Sequence, residues 1–266
     1  MIPYAFEYRR AASLADASAL LAKLPDAKLL AGGQTLIAAM KMRLAQPSEL
    51  IDISGLKELA FIRATDSVVT IGAATTHFDV ANSRDVKRLI PALADLAESI
   101  GDPAVRYMGT LGGSLANNDP AADYPAAALG LGAMIKTTRR EIAADDFFTG
   151  MFSTALEDGE IITEVAFPVP ERAGYAKIPN PASRYAMAGV FVAKTRSGVR
   201  VAVTGAAPCV FRVADMEAAL GKNFTPDAVA GIEVSAEDMN SDIHGSAEYR
   251  AHLVTVMAKR AVAAAQ

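Results

Sequence analysis

A chain of 266 residues, 52% hydrophobic and with a formal net charge of −4, has ample material for one large or two modest buried cores. It has no basic block, so it lacks the positive stripe that nucleic-acid binding needs to displace counterions. Its single cysteine, Cys209, cannot hold an iron–sulfur cluster, a structural zinc or an internal disulfide.

Residues 6–8 read as a short strand. Ser13 then suits an N-cap, with Asp16 three positions on in a capping-box-like pair. Ala17, Leu20, Leu21 and Leu24 follow at helical spacing, and Pro25 ends the run. Residues 28–31 form an apolar strand broken by Gly32-Gly33, a helix is expected over 36–44, and 50–53 is a strand again. This alternation predicts a small parallel βαβαβ layer. Beyond it, 60–63 and 68–73 flank Asp66-Ser67 as a hairpin. A helix over 86–100 carries Leu89, Leu93, Leu96 and Ile100 on one face. A long irregular segment, 102–123, follows, and loops of that length tend to be functional. Further strands are expected at 133–138, 141–143 and 161–167. Pro168, Pro170, Pro179 and Pro181 mark a candidate linker. Three antiparallel strands (190–195, 199–204, 209–213) and helices over 214–220 and 246–265 then predict a small α+β module. The first residues show no charged region followed by an apolar run, and no stretch reaches the roughly 18 apolar residues of a membrane span. A cytoplasmic chain without an integral membrane segment is expected.

Two glycine-rich segments carry the chemistry. In Ala31-Gly32-Gly33-Gln34-Thr35-Leu36, at a strand exit and helix start, glycines admit close backbone approach. Free N–H groups there favour an anion such as pyrophosphate; a tight turn with Thr35 as N-cap is the structural alternative. Gly109-Thr110-Leu111-Gly112-Gly113-Ser114-Leu115-Ala116-Asn117 is expected to offer exposed N–H groups and hydroxyls in a nest-like arrangement. Its structural alternative is a crowded backbone crossing. Two such segments fit a dinucleotide. No GxGxxG follows a strand and no GxxxxGK[ST] is present, so neither a Rossmann site nor an ATPase is supported. His77, His244 and His252 share no metal-ligand spacing. Asp119 and Asp123 shape a turn and a helix start, and Met40 and Met42 suit packing.

These segments, in their order and spacing, resemble the medium, FAD-binding subunit of carbon monoxide dehydrogenase and related molybdenum hydroxylases, a family that includes the flavin domain of xanthine dehydrogenase. The resemblance runs through Phe6-Glu7-Tyr8, Leu50-Ile51-Asp52-Ile53, Ile71-Gly72-Ala73, Thr75-Thr76-His77, Ile100-Gly101-Asp102-Pro103, Asn118-Asp119-Pro120-Ala121-Ala122-Asp123 and Gly245-Ser246-Ala247-Glu248-Tyr249-Arg250. It implies an α+β chain: an FAD-binding region of the vanillyl-alcohol-oxidase (PCMH) type over 1–172, in subdomains of about 1–55 and 56–172. A C-terminal domain of the carbon monoxide dehydrogenase flavoprotein type, with a three-stranded antiparallel sheet, would fill 173–266.

By the same resemblance, Leu30, Ala31, Gly32, Gly33, Gln34, Thr35 and Leu36 would wrap the FAD pyrophosphate from one side. Gly109, Thr110, Gly112, Gly113 and Ser114 would hold it from the other, and Ile100 would line the site. Asp123 would take a ribose hydroxyl, and Ile162 and Lys177 would lie near the flavin, with Lys177 stabilising negative charge on the reduced ring. Tyr185 would sit against the isoalloxazine. The chain departs from the family at Thr35 and Leu111, where serine and isoleucine are common. It also lacks the Arg-rich run with Gly-Asp that commonly precedes the aromatic at Tyr185. The implied partners are a large molybdenum-cofactor subunit, a small subunit with two [2Fe–2S] clusters, and an outside electron acceptor. The alternatives are a free-standing FAD-dependent oxidase or dehydrogenase, for which His77 or Tyr185 would have to act as base, and a flavin-free assembly scaffold.

Overall fold

The computed structural model describes residues 2–266. Helix α1 (Leu14–Lys23) starts where expected: the Ser13 hydroxyl accepts from the Asp16 N–H, and the Asp16 carboxylate accepts in turn from the Ala12 N–H. It is flanked by strands β1 (Glu7–Arg10) and β2 (Lys28–Leu30). Helix α2 (Leu36–Lys41) then leads to β3 (Glu49–Asp52). The three strands are parallel in the order β1-β3-β2, which is the expected βαβαβ layer. Its core is Ala17, Ile51, Ile53, Leu56 and Leu59. Helix α2 is shorter than expected, and Arg43 just beyond it takes a left-handed conformation.

A five-stranded antiparallel sheet forms the second lobe. It comprises β4 (Ile62–Ala64), β5 (Val68–Gly72), β6 (Met134–Thr137), β7 (Glu141–Ala143) and β10 (Ile162–Pro168), in the order β4-β5-β10-β6-β7. A small hairpin of β8 (Phe148–Gly150) and β9 (Ser153–Thr154) hangs from it. The helix expected over 86–100 is two helices, α4 (Arg84–Leu89) and α5 (Pro91–Glu98), preceded by α3 (His77–Asn82). Pro91 is the reason: it has no N–H to continue the ladder, so Ile90 leaves helical conformation and Pro91 opens the next helix.

The segment 102–123 is also more regular than expected. Asp102 accepts from the Val105 N–H and Pro103 stands at the first position of α6 (Pro103–Met108). Thr110 accepts from the Gly113 N–H to open α7 (Leu111–Asn117). Asn118, in the left-handed region, ends it.

Helix α8 (Tyr124–Leu131) is buried at all eight positions, and α9 (Ala144–Phe147) packs nearby. A helix that is apolar all round needs cover on every side. Here the second lobe supplies one side and a C-terminal sheet the other. That sheet has four antiparallel strands: β11 (Arg172–Pro179), β12 (Ala186–Thr195), β13 (Gly198–Thr204) and β14 (Phe211–Arg212). The expected linker is therefore strand β11, which raises the sheet from three strands to four. The prolines only bracket it: the run from Arg172 to Ile178 is proline-free and pairs with β12, and Pro179 falls at the end of an edge strand, where no central ladder is interrupted.

Alternation along the sheet gives it two buried faces. Val190, Val192, Val201 and Val203 pack under α10 (Ala214–Lys222) and α11 (Ala247–Ala264). Phe191, Ala193 and Ala202 join the central core with α8. No helix among the described residues is long and apolar enough to cross a membrane. Phe191 is fully buried at this junction, so Phe191→Ala is expected to cost about 3–5 kcal/mol of stability in a denaturant titration. A loss of less than about 1 kcal/mol would show that the sheet is not docked in this way.

Candidate functional site

A cleft of about 730 Å³ runs between the two lobes and ends at the loop of Ser183, Arg184 and Tyr185 that joins β11 to β12, within the size range of cofactor pockets. Its first wall is the exit of β2. Leu30, Ala31, Gly32, Gly33, Gln34, Thr35 and Leu36 all line it. The N–H groups of the last five find no acceptor among the described residues; the first bond of the turn is Ile37 N–H to Gly33 O. Thr35 stands at the N-cap position with helical backbone and no capping bond from its side chain, so the tight-turn alternative does not use its hydroxyl. Gln34 Nε2 folds back towards Gly32 O at 3.3 Å. A row of unsatisfied amides facing an open cleft is the donor set an anion requires.

The second wall is the start of α7, where Gly109, Thr110, Gly112, Gly113 and Ser114 line the cleft. Here the expectation of exposed N–H groups fails. Leu111 N–H donates to Thr75 O, Gly112 N–H to Ala73 O, Gly113 N–H to Thr110 Oγ1 and Ser114 N–H to Thr110 O. The first two bind the segment to the exit of β5, and the last two close the first turn of α7 on Thr110. What this wall offers is side chains: the Ser114 hydroxyl and the Asn117 amide, neither with a hydrogen-bond partner among the described residues. Asn117 closes the segment singled out in the sequence but is not among the residues expected to hold the cofactor, although it lies three residues after Ser114 on one helix face, the spacing that brings two polar groups together.

The glycines explain how close the walls come. A Cβ on Gly32 would lie 2.0 Å from Met108 O and 2.8 Å from Gly109 Cα, and one on Gly112 would lie 2.6 Å from Ala73 Cβ. The crowded-crossing alternative is therefore also correct. The two segments touch, and that contact fixes the separation of the walls.

The floor comes from Ile100, Ile162 and Asp123, the residue just before α8. Asp123 is buried, and its Oδ1 accepts from Tyr175 Oη at 2.5 Å and Lys177 Nζ at 2.9 Å. Burial pushes the carboxyl up, and the Lys177 ammonium pulls against it. Lys177 is not part of the lining. It stands behind Asp123 and donates also to Ser99 O at 3.1 Å, because a buried carboxylate needs a counterion more than an open cleft needs a lysine. Tyr185 is half exposed at the mouth, beside Ser183 and Arg184. Asn180 Oδ1 holds that loop through the Ala182 and Ser183 N–H groups, with Arg184 left-handed. His77 lies buried beneath Gly109. Desolvation pulls it down to about 4, so it is a neutral ring with Nδ1 unpartnered. Glu160, ahead of Ile161 and Ile162 in the lining, accepts from Arg140, Thr137 and the Glu157 N–H, and Arg140 foremost holds it down to about 2.

An elongated cleft with free amides on one wall, hydroxyl and amide groups on the other and a carboxylate in the floor defines a protein built to hold an extended anionic cofactor with sugar hydroxyls. The chain belongs to the FAD-binding medium subunits of the molybdenum hydroxylases, and is an oxidoreductase subunit. The family described as "FAD binding domain in molybdopterin dehydrogenase" matches residues 4–170 and "CO dehydrogenase flavoprotein C-terminal domain" matches 175–265. The carbon monoxide dehydrogenase medium chain of Hydrogenophaga pseudoflava is 38% identical, over 100% of this chain and 98% of that one. The nicotine 6-hydroxylase medium subunit of Paenarthrobacter nicotinovorans is 40% identical, over 97% and 96%. Among solved structures, quinoline 2-oxidoreductase from Pseudomonas putida 86 aligns with a TM-score of 0.91 at 30% identity, covering 99% of this chain and 97% of that one.

Two outcomes check the cleft. Gly32→Ala is expected to destabilise the chain by about 1–3 kcal/mol as the walls are forced apart; unchanged stability would remove the Gly32–Met108 contact from the account. Glu160 is depressed in the folded chain, so its contribution is present above its unfolded value of about 4.3 and is lost as pH falls towards about 2. Glu160→Gln should therefore cost about 1–3 kcal/mol at neutral pH, and the difference should shrink in acid. A pH-independent difference would contradict the assigned charge.

Proposed function

We propose that this cleft binds FAD and that the chain relays electrons from [2Fe–2S] clusters on a small partner subunit to an outside acceptor. A large subunit with the molybdenum cofactor would oxidise the substrate. The observation that carries this is the row of free amides from Gly32 to Leu36 facing Ser114 and Asn117 across one cleft. In this assignment those amides take the pyrophosphate oxygens, with Leu30 and Ala31 leading into the turn. Ser114 and Asn117 reach them from the other wall, which Gly109, Thr110, Gly112 and Gly113 keep close. Asp123 accepts from a sugar hydroxyl of the cofactor, Ile100 and Ile162 give it apolar cover, and Tyr185 lies against its ring at the mouth. When bound, the flavin supplies the one-electron and hydride chemistry that side chains lack. The protein's part is to bind, orient and leave one edge open.

Other support is chemical. One cysteine, Cys209, cannot ligate a cluster, so the clusters belong on another chain. The relatives' names, "medium chain" and "medium subunit", agree with a multi-subunit complex. His77, buried and neutral, is poorly placed to act as a base on an outside substrate. A division into residues 1–172 for the cofactor and 173–266 for the C-terminal domain, and a cytoplasmic location, complete the proposal.

The test is a visible absorption spectrum after incubation with FAD and desalting, repeated on the co-expressed complex. Flavin bands should be retained. In the complex they should bleach anaerobically with substrate only when the iron–sulfur subunit is present. Bleaching without that subunit would contradict the relay, and a complex that releases no flavin into the supernatant on denaturation would contradict the cofactor.

A further inference from the structure

We propose that Lys177 and Tyr175 are positioning residues for the cofactor site: from the C-terminal sheet they hold the Asp123 carboxylate ionised and oriented, with Oδ2 left for a hydroxyl of the bound cofactor. This rests on the FAD assignment above. Tyr175 and Lys177 are two apart on β11, so they share a strand face. Both donate to Asp123 Oδ1, at 2.5 and 2.9 Å. No side chain among the described residues donates to Oδ2, and Asp123 lines the cleft. The same ammonium donates to Ser99 O at the end of α5, one residue before the Ile100-Gly101 wall. One lysine thus ties two parts of the lining to the C-terminal sheet.

The pairing has a charge consequence. Side chains of Lys177 and Asp123 are only 7% and 4% exposed. A buried carboxyl that loses its cation is pushed further towards its neutral form. Protonated, it donates where it should accept, and it no longer holds a cofactor hydroxyl in the same way. The other groups around it are Tyr124 on α8, Asp119 before that helix, Tyr185 and Arg184 at the mouth, and His77 on α3. The phenols of Tyr124, Tyr175 and Tyr185 are pushed up by burial, and His77 is pulled down to about 4. Neither these phenols nor His77 changes charge between about pH 6 and 9.

The experiment is an FAD titration of the full chain, read by quenching of flavin fluorescence, at a series of pH values from about 6 to 9. The wild-type Kd should be flat. Lys177→Met should bind at least about tenfold more weakly at the acid end and recover as pH rises and Asp123 ionises. Tyr175→Phe, which keeps the cation, should bind a few-fold more weakly with a flat profile. Wild-type affinity in Lys177→Met, or a loss equal at every pH, would overturn the proposal. If Lys177→Met does not fold, Tyr175→Phe decides, and unchanged affinity there overturns it. A wild-type chain that binds no FAD at any pH would instead overturn the cofactor assignment on which this one stands.

Discussion

Helix α8 has no polar face, and most of the molecule is arranged to satisfy that. All eight of its residues are buried, so it must be covered by the second lobe on one side and by the C-terminal sheet on the other. Once the sheet is pressed onto it through Phe191, Ala193 and Ala202, β11 comes to lie beside the residue that starts the helix. Asp123 then meets Tyr175 and Lys177. An apolar packing requirement thereby sets a polar geometry in the floor of the cleft. The C-terminal sheet is buried on this face by α8 and on the other by α10 and α11, which makes it part of the site's support instead of an appendage.

The two glycine segments divide the work unevenly. Both look like phosphate cradles in sequence, and only the first has free amides. The second has spent its N–H groups on Ala73, Thr75 and Thr110, which holds it to the exit of β5 and closes its own helix start. The contact of Gly32 with Met108 and Gly109 then holds the amide row at a fixed distance from Ser114 and Asn117. Structural and functional uses of the glycines are therefore one arrangement: the tight crossing positions the donors.

Much of this was legible in the chain. The Ser13–Asp16 capping pair, the parallel first layer and the hairpin around Asp66-Ser67 follow from local signals and are present. Most of the residues expected at the site do line one cleft. What could not be read was where hydrogen bonds are already spent, because that depends on partners far away in sequence. Lys177 is the clearest case: nothing near it shows that Asp123, 54 positions away, claims its charge. Strand β11 was hidden by bracketing prolines that an edge strand tolerates. The break at Pro91 and the caps at Asp102 and Thr110 had plain local signals; helical periodicity over 86–100 masked the first, and the shortness of the helices that follow masked the other two.

Cofactor binding here depends on the amides of Gly32 to Leu36 being free and facing the cofactor. Amide hydrogen exchange of the full chain, with and without FAD, addresses that claim residue by residue. The expected result is fast exchange across 32–36 in the free chain and marked protection there on binding, with the amides of 111–114 already protected beforehand. Protection at 32–36 before FAD is added, or flavin binding that leaves those amides exchanging as fast as before, would contradict it.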